Sequence, residues 1–397
     1  MKRLLLAFLF VVLLSSIALA AAPFHIGIMT GTVSQQEDEL RGAERLIKEY
    51  GDVSDGGMIS HLTWPDNFMA EMETTISQIA SFADDPLMKA IVVQSSVPGT
   101  VEGFRRVREL RPDILLFAGT PQEDPVMIAE VADLCVSSDK LSRGYLIVLG
   151  AKKLGADTFV HISFPRHMSN ELNSRRRDIM AETCKDLGLK FGNIGAPDPT
   201  SEIGVAGAQQ YIIEKVPAWI EKYGKNTAFF TTNDALDEPL IRQVAKFGAI
   251  YVEATYASPT MGYPGALGIE FEEADKGNWP RILKKVEDAV LETGNGGRMG
   301  CWAFSYAYCV AAGLGEHAKR VIEGKSELLN KDDILDAFGK YSPGAQWNSS
   351  YYVDANDVVR KNFLLVYQDT YIFGRGYLHQ TSEVIPEKYY DRNIGKK

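Results

Sequence analysis

The sequence lacks the residue patterns on which metal sites and many enzymes depend. Only six histidines and four cysteines occur among its 397 residues, and their spacing matches neither a zinc site nor a CxxC redox pair. There is no GxSxG nucleophile elbow and no glycine-rich phosphate loop, and the glycines near residue 30 lack the spacing of a dinucleotide-binding loop. We therefore predict a protein that is not an enzyme and that carries neither a metal nor a cofactor.

The chain also has fewer basic residues than acidic ones. Lysines and arginines total 42 against 52 aspartates and glutamates, which gives a formal net charge of −10 at pH 7. An acidic chain without a basic block is a poor partner for nucleic acid or for an anionic membrane surface. The composition is otherwise that of a globular protein, with 45% hydrophobic residues, and its length predicts two or more domains.

The cysteines are too scattered to predict a disulfide. Cys301 and Cys309 lie on one predicted helix, two turns apart, which is about 12 Å along the axis and too far for a bridge. Cys135 falls in a predicted strand and Cys184 on a predicted helix. Oxidation stays possible outside the cytoplasm, but buried free thiols are the favoured interpretation.

The N-terminus has the pattern of a cleaved export signal. A short positive start at Lys2 and Arg3 precedes an uninterrupted apolar run over residues 4–14, and Ala18 and Ala20 supply the small residues that signal peptidase requires. An N-terminal membrane anchor is the alternative, although the apolar run is short for a membrane span. We place cleavage after Ala20 and expect the mature chain to be periplasmic or secreted, without insertion into the membrane.

Beyond the signal, apolar strand-like runs alternate with amphipathic helical runs. Each of the first five strands ends in a short polar turn, and continuous apolar strands such as AIVVQ indicate a sheet that is covered on both faces. This alternation predicts a doubly wound α/β lobe. The five strands span residues 24–30, 58–64, 90–94, 114–118 and 134–136.

The same architecture starts again at residue 158 and predicts a second lobe. Its clearest unit is the βαβ segment 227–256, in which Asn233 and Asp234 form a polar corner at the carboxyl end of a strand. Open α/β sheets bind ligands at that end of their strands. Two such lobes predict a ligand cleft between them. The three consecutive arginines at 175–177 lie on a predicted helix and are interpreted as a solvated face.

Four segments together resemble the type I periplasmic solute-binding proteins, a superfamily that includes the effector domains of LacI-type repressors. The whole chain is also similar to a poorly characterised bacterial family, labelled only as a domain of unknown function with solute-binding structure. The resemblance implies two doubly wound, Rossmann-like lobes joined by a hinge. The segments are FHIGIMTG after the signal, residues 90–96 with Gly119 and Thr120, TTND at 231–234, and residues 298–300 followed by a helix to Gly324.

The resemblance also implies where the lobes begin and end. The N-terminal lobe would comprise residues 24–139 and about 298–345, and the C-terminal lobe residues 140–297. The last segment, 346–397, makes the chain longer than a typical sugar-binding member. We expect this extension to pack on the lobes or on the hinge.

In this fold the cleft is lined by the strand-end loops of both lobes, so the resemblance implies a set of ligand-binding residues. Hydroxyls and amides would hydrogen-bond a polar ligand, aromatic rings would stack on it, and Arg166 would bind a carboxylate or phosphate. Structural alternatives are helix capping for Asn233 and Asp234, turn formation for the serines, core packing for Trp64 and a solvated charge for Arg166. The candidates are Thr30, Thr32, Trp64, Ser95, Ser96, Thr120, Asp139, Phe164, Arg166, Asn233, Asp234 and Tyr256.

The implied function is capture of a small polar ligand by closure of two lobes. Sugars, nucleosides, amino acids and small carboxylates all fit such a cleft. The leading hypothesis is a monomeric solute-binding protein that delivers its ligand to an ABC-type permease. A periplasmic sensor for a receptor kinase is the first alternative, and a secreted α/β hydrolase is the second.

Overall fold

The computed structural model describes residues 22–395 of the chain. The export signal predicted over residues 1–20 lies outside this range. Within it, no helix combines the length and the apolar composition that a membrane span requires.

The described residues contain thirteen strands, which divide between the two lobes that the sequence predicts. Strands 1–5, 10 and 11 form the sheet of the first lobe, and the other strands belong to the second lobe. The strands are β1 (His25–Thr30), β2 (Ile59–Thr63), β3 (Met88–Val93), β4 (Leu115–Gly119), β5 (Leu134–Ser138), β6 (Thr158–Ser163), β7 (Lys190–Gly195), β8 (Thr227–Thr231), β9 (Gly300–Trp302), β10 (Trp347–Val353), β11 (Val359–Gln368), β12 (Thr370–Ile372) and β13 (Gly376–Tyr377).

Most connections between these strands are helical, as expected for doubly wound lobes. Within the described range the α-helices are α1 (Val33–Tyr50), α2 (Met72–Ser81), α3 (Thr100–Leu110), α4 (Pro125–Val131), α5 (Lys140–Lys153), α6 (Pro165–Met168), α7 (Glu171–Leu187), α8 (Gly204–Tyr223), α9 (Asp237–Phe247), α10 (Tyr263–Leu267), α11 (Trp279–Glu292), α12 (Tyr306–Ile322) and α13 (Lys331–Tyr341).

The first lobe has a seven-stranded sheet in the order β10-β11-β5-β4-β3-β1-β2. Six strands are parallel, and β10 is an antiparallel edge strand. Successive side chains of a strand point to opposite faces. In β3, Ala90 and Val92 therefore face one hydrophobic core, and Ile91 and Val93 face the other. Because helices cover both faces, the strand reads as a continuous apolar run.

The second lobe has a parallel sheet in the order β7-β6-β8. Single parallel bridges from Ala228 to Ile250 and from Tyr251 to Met299 extend it towards β9. β9 then pairs with β12 and β12 with β13, both antiparallel. The lobe thus combines a parallel core with an antiparallel edge.

The C-terminal segment contributes strands to both sheets. β11 pairs in parallel with β5, with Phe363 opposite Cys135, whereas β12 and β13 lie in the second lobe. The helix predicted to start at Cys301 is wrong in its first turn, because β9 pairs with β12 and α12 begins only at Tyr306. The cysteines are confirmed as free and buried. The lobe boundaries proposed from the sequence stay a prediction.

The chain passes between the two sheets at three places: after β5, between β9 and α12, and between β11 and β12. One buried ion pair lies among all three. Arg143 Nε donates to Glu253 Oε1 at 2.7 Å, and both side chains are 2% exposed. Arg143 also donates to the hydroxyl of Ser138, while Glu253 accepts from Trp302 Nε1 at 2.9 Å and from Thr370 Oγ1 at 3.0 Å. The pair therefore ties the three crossings together.

Helix α11 is shared by the cores of both lobes. Trp279 and Ile282, in its first turns, are buried in the core of the first lobe. Val286 and Val290, further along the same face, are buried in the core of the second lobe. The helix therefore spans the boundary between the lobes.

Replacing one member of the buried ion pair is expected to destabilise the whole fold. Glu253→Gln leaves the Arg143 charge without its carboxylate, and such losses typically cost about 3–5 kcal/mol. Urea denaturation of the purified variant gives the change in the free energy of unfolding. Asp288→Asn is the matched control, because Asp288 pairs with Lys284 on the surface and such pairs contribute about 0–1 kcal/mol. Equal losses in the two variants would contradict the central role of the pair.

Candidate functional site

The strand ends of the first sheet carry two strained residues on the edge from which the chain crosses to the second lobe. Ser95 follows β3 with φ of 46°, and Thr120 follows β4 with φ of 50°. A positive φ is unfavourable for residues other than glycine, above all for a β-branched threonine. Such conformations cost roughly 1–3 kcal/mol each and concentrate at functional sites. The two turns therefore mark this edge as a candidate site.

A buried carboxylate lies directly against the first of these turns. Ser95 Oγ donates to Glu39 Oε1, and the backbone N–H of Gly31 donates to Glu39 Oε2 at 3.2 Å. Glu39 lies on α1 and is 1% exposed. Burial raises the pKa of its carboxyl to about 7, although these hydrogen bonds limit the rise. The site thus contains a carboxyl group that titrates near neutral pH.

Two tyrosines connect the other strained turn to the second lobe. Thr120 Oγ1 donates to Tyr306 Oη at 3.0 Å, and the Tyr306 ring stacks on Tyr256 with centroids 6.1 Å apart. Burial, followed by the charges of Asp234 and Glu39, raises the pKa of Tyr256. The charges of a carboxylate from each lobe therefore act on one buried tyrosine.

The second lobe contributes the polar corner after β8. Asn233 Oδ1 accepts from the N–H of Ala235 at 3.1 Å and begins a short 3₁₀ turn. The buried Oδ1 of Asp234 has no hydrogen-bond partner in the described part of the chain. Burial raises the pKa of Asp234, and it also raises the pKa of the neighbouring Asp237. An unpartnered buried acceptor is costly unless a ligand or water satisfies it.

Three cations surround this corner. Arg143 is engaged by Glu253 as described above. Arg176 on α7 is fully buried, and its Nε and Nη1 atoms have no partner among the described residues. The charges of Arg176 and Lys140 both act on Asp234 and oppose the rise of its pKa. Charged groups of both signs therefore surround this corner.

Five of the sequence-derived candidates gather at this cleft. Ser95 and Thr120 come from the first lobe, Asn233 and Asp234 from the second, and Tyr256 lies between them. Their common position follows from the fold, since the strand ends of both sheets meet at the boundary. Their role in ligand binding remains a proposal.

Three candidates from the first lobe use their polar groups within that lobe. Thr30 Oγ1 lies 2.9 Å from His61 Nε2, and the Thr32 hydroxyl donates to Asp66. Trp64 is 2% exposed, and its indole N–H donates to a backbone carbonyl at 3.3 Å. The burial of Trp64 matches its core-packing alternative, and the hydroxyls of Thr30 and Thr32 are engaged by local partners.

The remaining candidates also have local partners. Ser96 Oγ donates to a backbone carbonyl at 2.8 Å, and Asp139 caps α5 by accepting from the N–H groups of its first turn. Phe164 is buried against the guanidinium of Arg166. Arg166 is half-exposed and forms a bidentate pair with Asp198 at 2.7 and 2.9 Å. A ligand that used Arg166 would have to displace this carboxylate.

The interpretation of residues 175–177 as a solvated face is wrong for two of the three arginines. Arg175 is 9% exposed and Arg176 is fully buried, whereas Arg177 is partly exposed. Arg176 falls at helical spacing with Leu172 and Ile179, both of which are buried. Its position on this apolar stripe is the sequence signal that identifies it as an inward-facing residue.

Glu39, Lys140 and Tyr306 belong to the site but were not among the sequence-derived candidates. Glu39 sits in a run of acidic and amide residues that is typical of a solvated helix. Lys140 directly follows a helix cap, and Tyr306 lies in an aromatic segment typical of a core. Only the pairing of distant segments reveals their common location.

Comparison with protein families gives a broad match. A family model described as "Protein of unknown function (DUF3798)" matches residues 24–300. Two uncharacterized proteins of Treponema pallidum (strain Nichols) are also similar. One is 45% identical over 182 residues, which cover 45% of this chain and 82% of the relative. The other is 39% identical over 219 residues, which cover 55% of this chain and 99% of the relative.

Solved structures share the architecture at low sequence identity. A protein of Clostridium difficile 630 described as a candidate transcriptional regulator is 22% identical, with a TM-score of 0.77, and the match covers 88% of this chain and 99% of the other. An ABC transporter periplasmic solute-binding protein of Actinobacillus succinogenes 130z with bound D-allose is 15% identical, with a TM-score of 0.50 and coverage of 77% and 93%. These likenesses confirm the type I periplasmic-binding-protein fold that the sequence resemblance implies.

The raised pKa of Glu39 predicts a specific dependence of stability on pH. Folding raises this pKa from its ordinary 4.5 to about 7, so the contribution of Glu39 is fully present below pH 4.5 and is lost as pH rises to 7. Glu39→Gln is expected to remove this component, which is on the order of 2–3 kcal/mol. Urea denaturation at pH 5 and pH 8 measures it in both proteins. The same loss of stability between the two pH values in the variant would contradict the prediction.

Proposed function

The chain belongs to the DUF3798 family of proteins of unknown function, and from that premise we propose that it is an extracytoplasmic solute-binding protein, which captures a small polar ligand between its two lobes. The main supporting observation is that the strained turn at Thr120 of the first lobe donates to Tyr306, whose ring stacks on Tyr256, while the charges of Glu39 and Asp234 both raise the pKa of Tyr256. A ligand placed there contacts both lobes. Such a ligand favours the closed arrangement of the lobes over the open one.

Contacts beside the cleft are consistent with closure. Asp38 on α1 of the first lobe accepts hydrogen bonds from Ser258 at 3.1 Å and from Thr260 at 2.7 Å. Both hydroxyls lie on the loop that leads to α10, which packs on the second lobe. Opening the lobes exchanges these bonds for bonds with water, so these two contacts add little to the free energy of opening.

The location and the partner of the protein belong to the same proposal. An export signal over residues 1–20 places the mature chain in the periplasm or outside the cell. Delivery of the ligand to an ABC-type permease is the favoured role, and presentation of the closed form to a receptor kinase is the alternative. Neighbouring genes for a permease and an ATPase support delivery, whereas a neighbouring kinase gene supports sensing.

One contact favours a hydrolase as a second candidate function. The Ser95 hydroxyl donates to Glu39 at a strained turn after a strand, and a serine beside a carboxylate of raised pKa resembles an activated nucleophile. However, Ser95 is only 6% exposed. A fluorophosphonate probe tests this alternative directly. Labelling that disappears in Ser95→Ala would favour the hydrolase over the binding protein.

Ligand binding is expected to be detectable in the mature chain, residues 21–397. Native mass spectrometry of the purified protein identifies a small molecule that remains bound through purification. A ligand that binds only the folded state raises the midpoint of thermal unfolding in proportion to its concentration relative to Kd. If native purification and a broad panel of polar metabolites both give no ligand, the solute-binding function loses its support.

Asp234→Asn is expected to weaken binding without unfolding the protein. Oδ1 of Asp234 is a buried acceptor without a partner in the part of the chain that the structure describes, and loss of one charged acceptor corresponds to about 1.5–3 kcal/mol. Calorimetry is therefore expected to show a Kd at least tenfold higher. Asp288→Asn makes the same chemical change on the surface of α11 and serves as the control. Unchanged affinity in Asp234→Asn would remove this residue from the site.

A further inference from the structure

The buried guanidinium of Arg176 is short of partners. Its Nη2 reaches Asn173 Oδ1 at 3.5 Å, and its plane lies 4.7 Å from the ring centroid of Phe230. Its Nε and Nη1 have no partner in the described part of the chain, although the side chain has no exposed surface. Burying an ionised group with free N–H donors is unfavourable. A cation left in this state is suited to an anion that arrives from outside the chain.

A second cation lies beside the first. α5 and α7 approach closely at Gly144, where a Cβ atom would lie 2.9 Å from Ile179. This contact brings Lys140, the first residue of α5, near Arg176. Burial, followed by the charges of Arg176 and Arg143, lowers the pKa of Lys140 to about 7. The charge of Asp234 opposes these effects. Among the described residues no hydrogen bond does so, and Lys140 is there a second cation without a hydrogen-bonded partner.

The other charges nearby do not neutralise this pair. Arg143, the third cation, is fully occupied by Glu253 and by neighbouring carbonyls. Glu253 and Asp237 also act on Arg176, but Glu253 is paired with Arg143. The charges of Lys140 and Arg176 both act on Asp234, yet Asp234 forms no ion pair with either among the described residues, and its Oδ1 has no partner there. Lys140 and Arg176 therefore offer two positive charges with N–H donors, and Asp234 offers a separate hydrogen-bond acceptor.

The pair lies near the carboxyl end of β8. Arg176 packs on Phe230 of that strand, and the polar corner follows three residues later at Asn233. Lys140 contributes to lowering the pKa of His167 on α6, and the His167 ring lies 3.2 Å from the hydroxyl of Thr232, directly before the corner. An anion bound by Lys140 and Arg176 would therefore lie close to Asp234.

From this geometry we infer that the ligand is a small organic acid. Its carboxylate binds Arg176 and Lys140, and a hydroxyl or amino group of the same molecule donates to Asp234. The inference rests on the proposed solute-binding function and narrows it from polar ligands in general to anionic ones. Arginine and lysine together suit the binding of a carboxylate. The planar guanidinium can donate two parallel hydrogen bonds to it, and the ammonium brings a compact charge on a flexible side chain.

Matched pairs of compounds that differ only in the carboxylate test the inference. Suitable pairs are D-galacturonate and D-galactose, D-gluconate and D-sorbitol, and L-serine and serinol, measured by isothermal titration calorimetry with the mature chain. The acid in at least one pair is expected to bind at least 100-fold more tightly than its neutral partner. The first two pairs report hydroxy acids, and the third reports amino acids.

Each outcome has a distinct meaning. Equal binding of an acid and its neutral partner overturns the inference but leaves the solute-binding function intact. Binding of neutral compounds alone has the same meaning. If no compound binds, the inference for small hydroxy and amino acids fails, and the molecule that native mass spectrometry detects in the purified protein then decides the proposed function separately.

A lysine variant tests the site itself. Lys140→Met is expected to weaken binding of the acid at least tenfold, whereas Lys152→Met, at the exposed end of the same helix, is expected to leave it unchanged. Urea denaturation checks that both variants are folded. Arg176→Lys is the second variant, and it is expected to weaken binding because an ammonium cannot form the bidentate contact. Wild-type affinity in both Lys140→Met and Arg176→Lys would overturn the assignment.

The affinity for the acid also depends on pH. The groups that face Lys140 are Arg143 on its own helix, Arg176 on α7, His167 on α6 and Asp234 after β8. Because Lys140 loses its proton near pH 7, affinity is expected to fall as pH rises from 6 to 8.5. Lys140→Met is expected to show a weaker dependence, since only the carboxyl groups then titrate. The same pH profile in the variant and the wild type would contradict the role of Lys140.

Discussion

The buried pair of Arg143 and Glu253 connects the three places where the chain crosses between the two lobes. Its partners include Ser138 from the first crossing, Trp302 from the second and Thr370 from the third. A charge pair in a dry interior is stable only when hydrogen bonds satisfy its remaining atoms. All three crossings supply such bonds, so none of them moves independently of the others. The hinge is therefore determined by this ion pair and its hydrogen bonds more than by the length of the three crossing segments.

The contrast between this pair and the cleft explains where function resides. Arg143 and Glu253 are fully satisfied, as expected for groups that maintain structure. Nearby, Arg176 and Asp234 keep polar atoms that have no partner between residues 22 and 395, and Ser95 and Thr120 hold unfavourable backbone conformations. Such unfavourable free energies persist at functional sites, where the binding of another molecule offsets them. The hydrogen-bonding groups of the hinge pair are thus satisfied, whereas the candidate site keeps polar atoms that have no partner among the described residues.

Much of the fold could be predicted from the sequence, because alternating strands and helices impose their own periodicity. β3 and β8 and the polar corner at Asn233 followed from local patterns alone. β9 was missed because its three residues are extended only through pairing with β12, which lies about 70 residues further along the chain. Long-range pairing of this kind leaves no local signal.

The site was less predictable than the fold for a similar reason. Tyr256 and Asp234 stand at strand ends and were identified there, whereas Glu39 and Lys140 lie in helical segments whose composition suggests solvent exposure. Arg176 was misassigned because three successive arginines suggest a charged surface, although only its register on α7 determines where it points. Which charged residue faces inwards depends on helix packing, and the packing of α5 against α7 depends on a glycine.

Helix α11 has a consequence for how fast the protein exchanges its ligand. Because Trp279 and Ile282 are buried in one core and Val286 and Val290 in the other, separation of the lobes must withdraw one end of the helix from its core. Exposing two apolar side chains costs roughly 3–6 kcal/mol, which enters the barrier to entry and to release alike. Under the proposed solute-binding function, this barrier predicts slow exchange and a long residence time for the ligand.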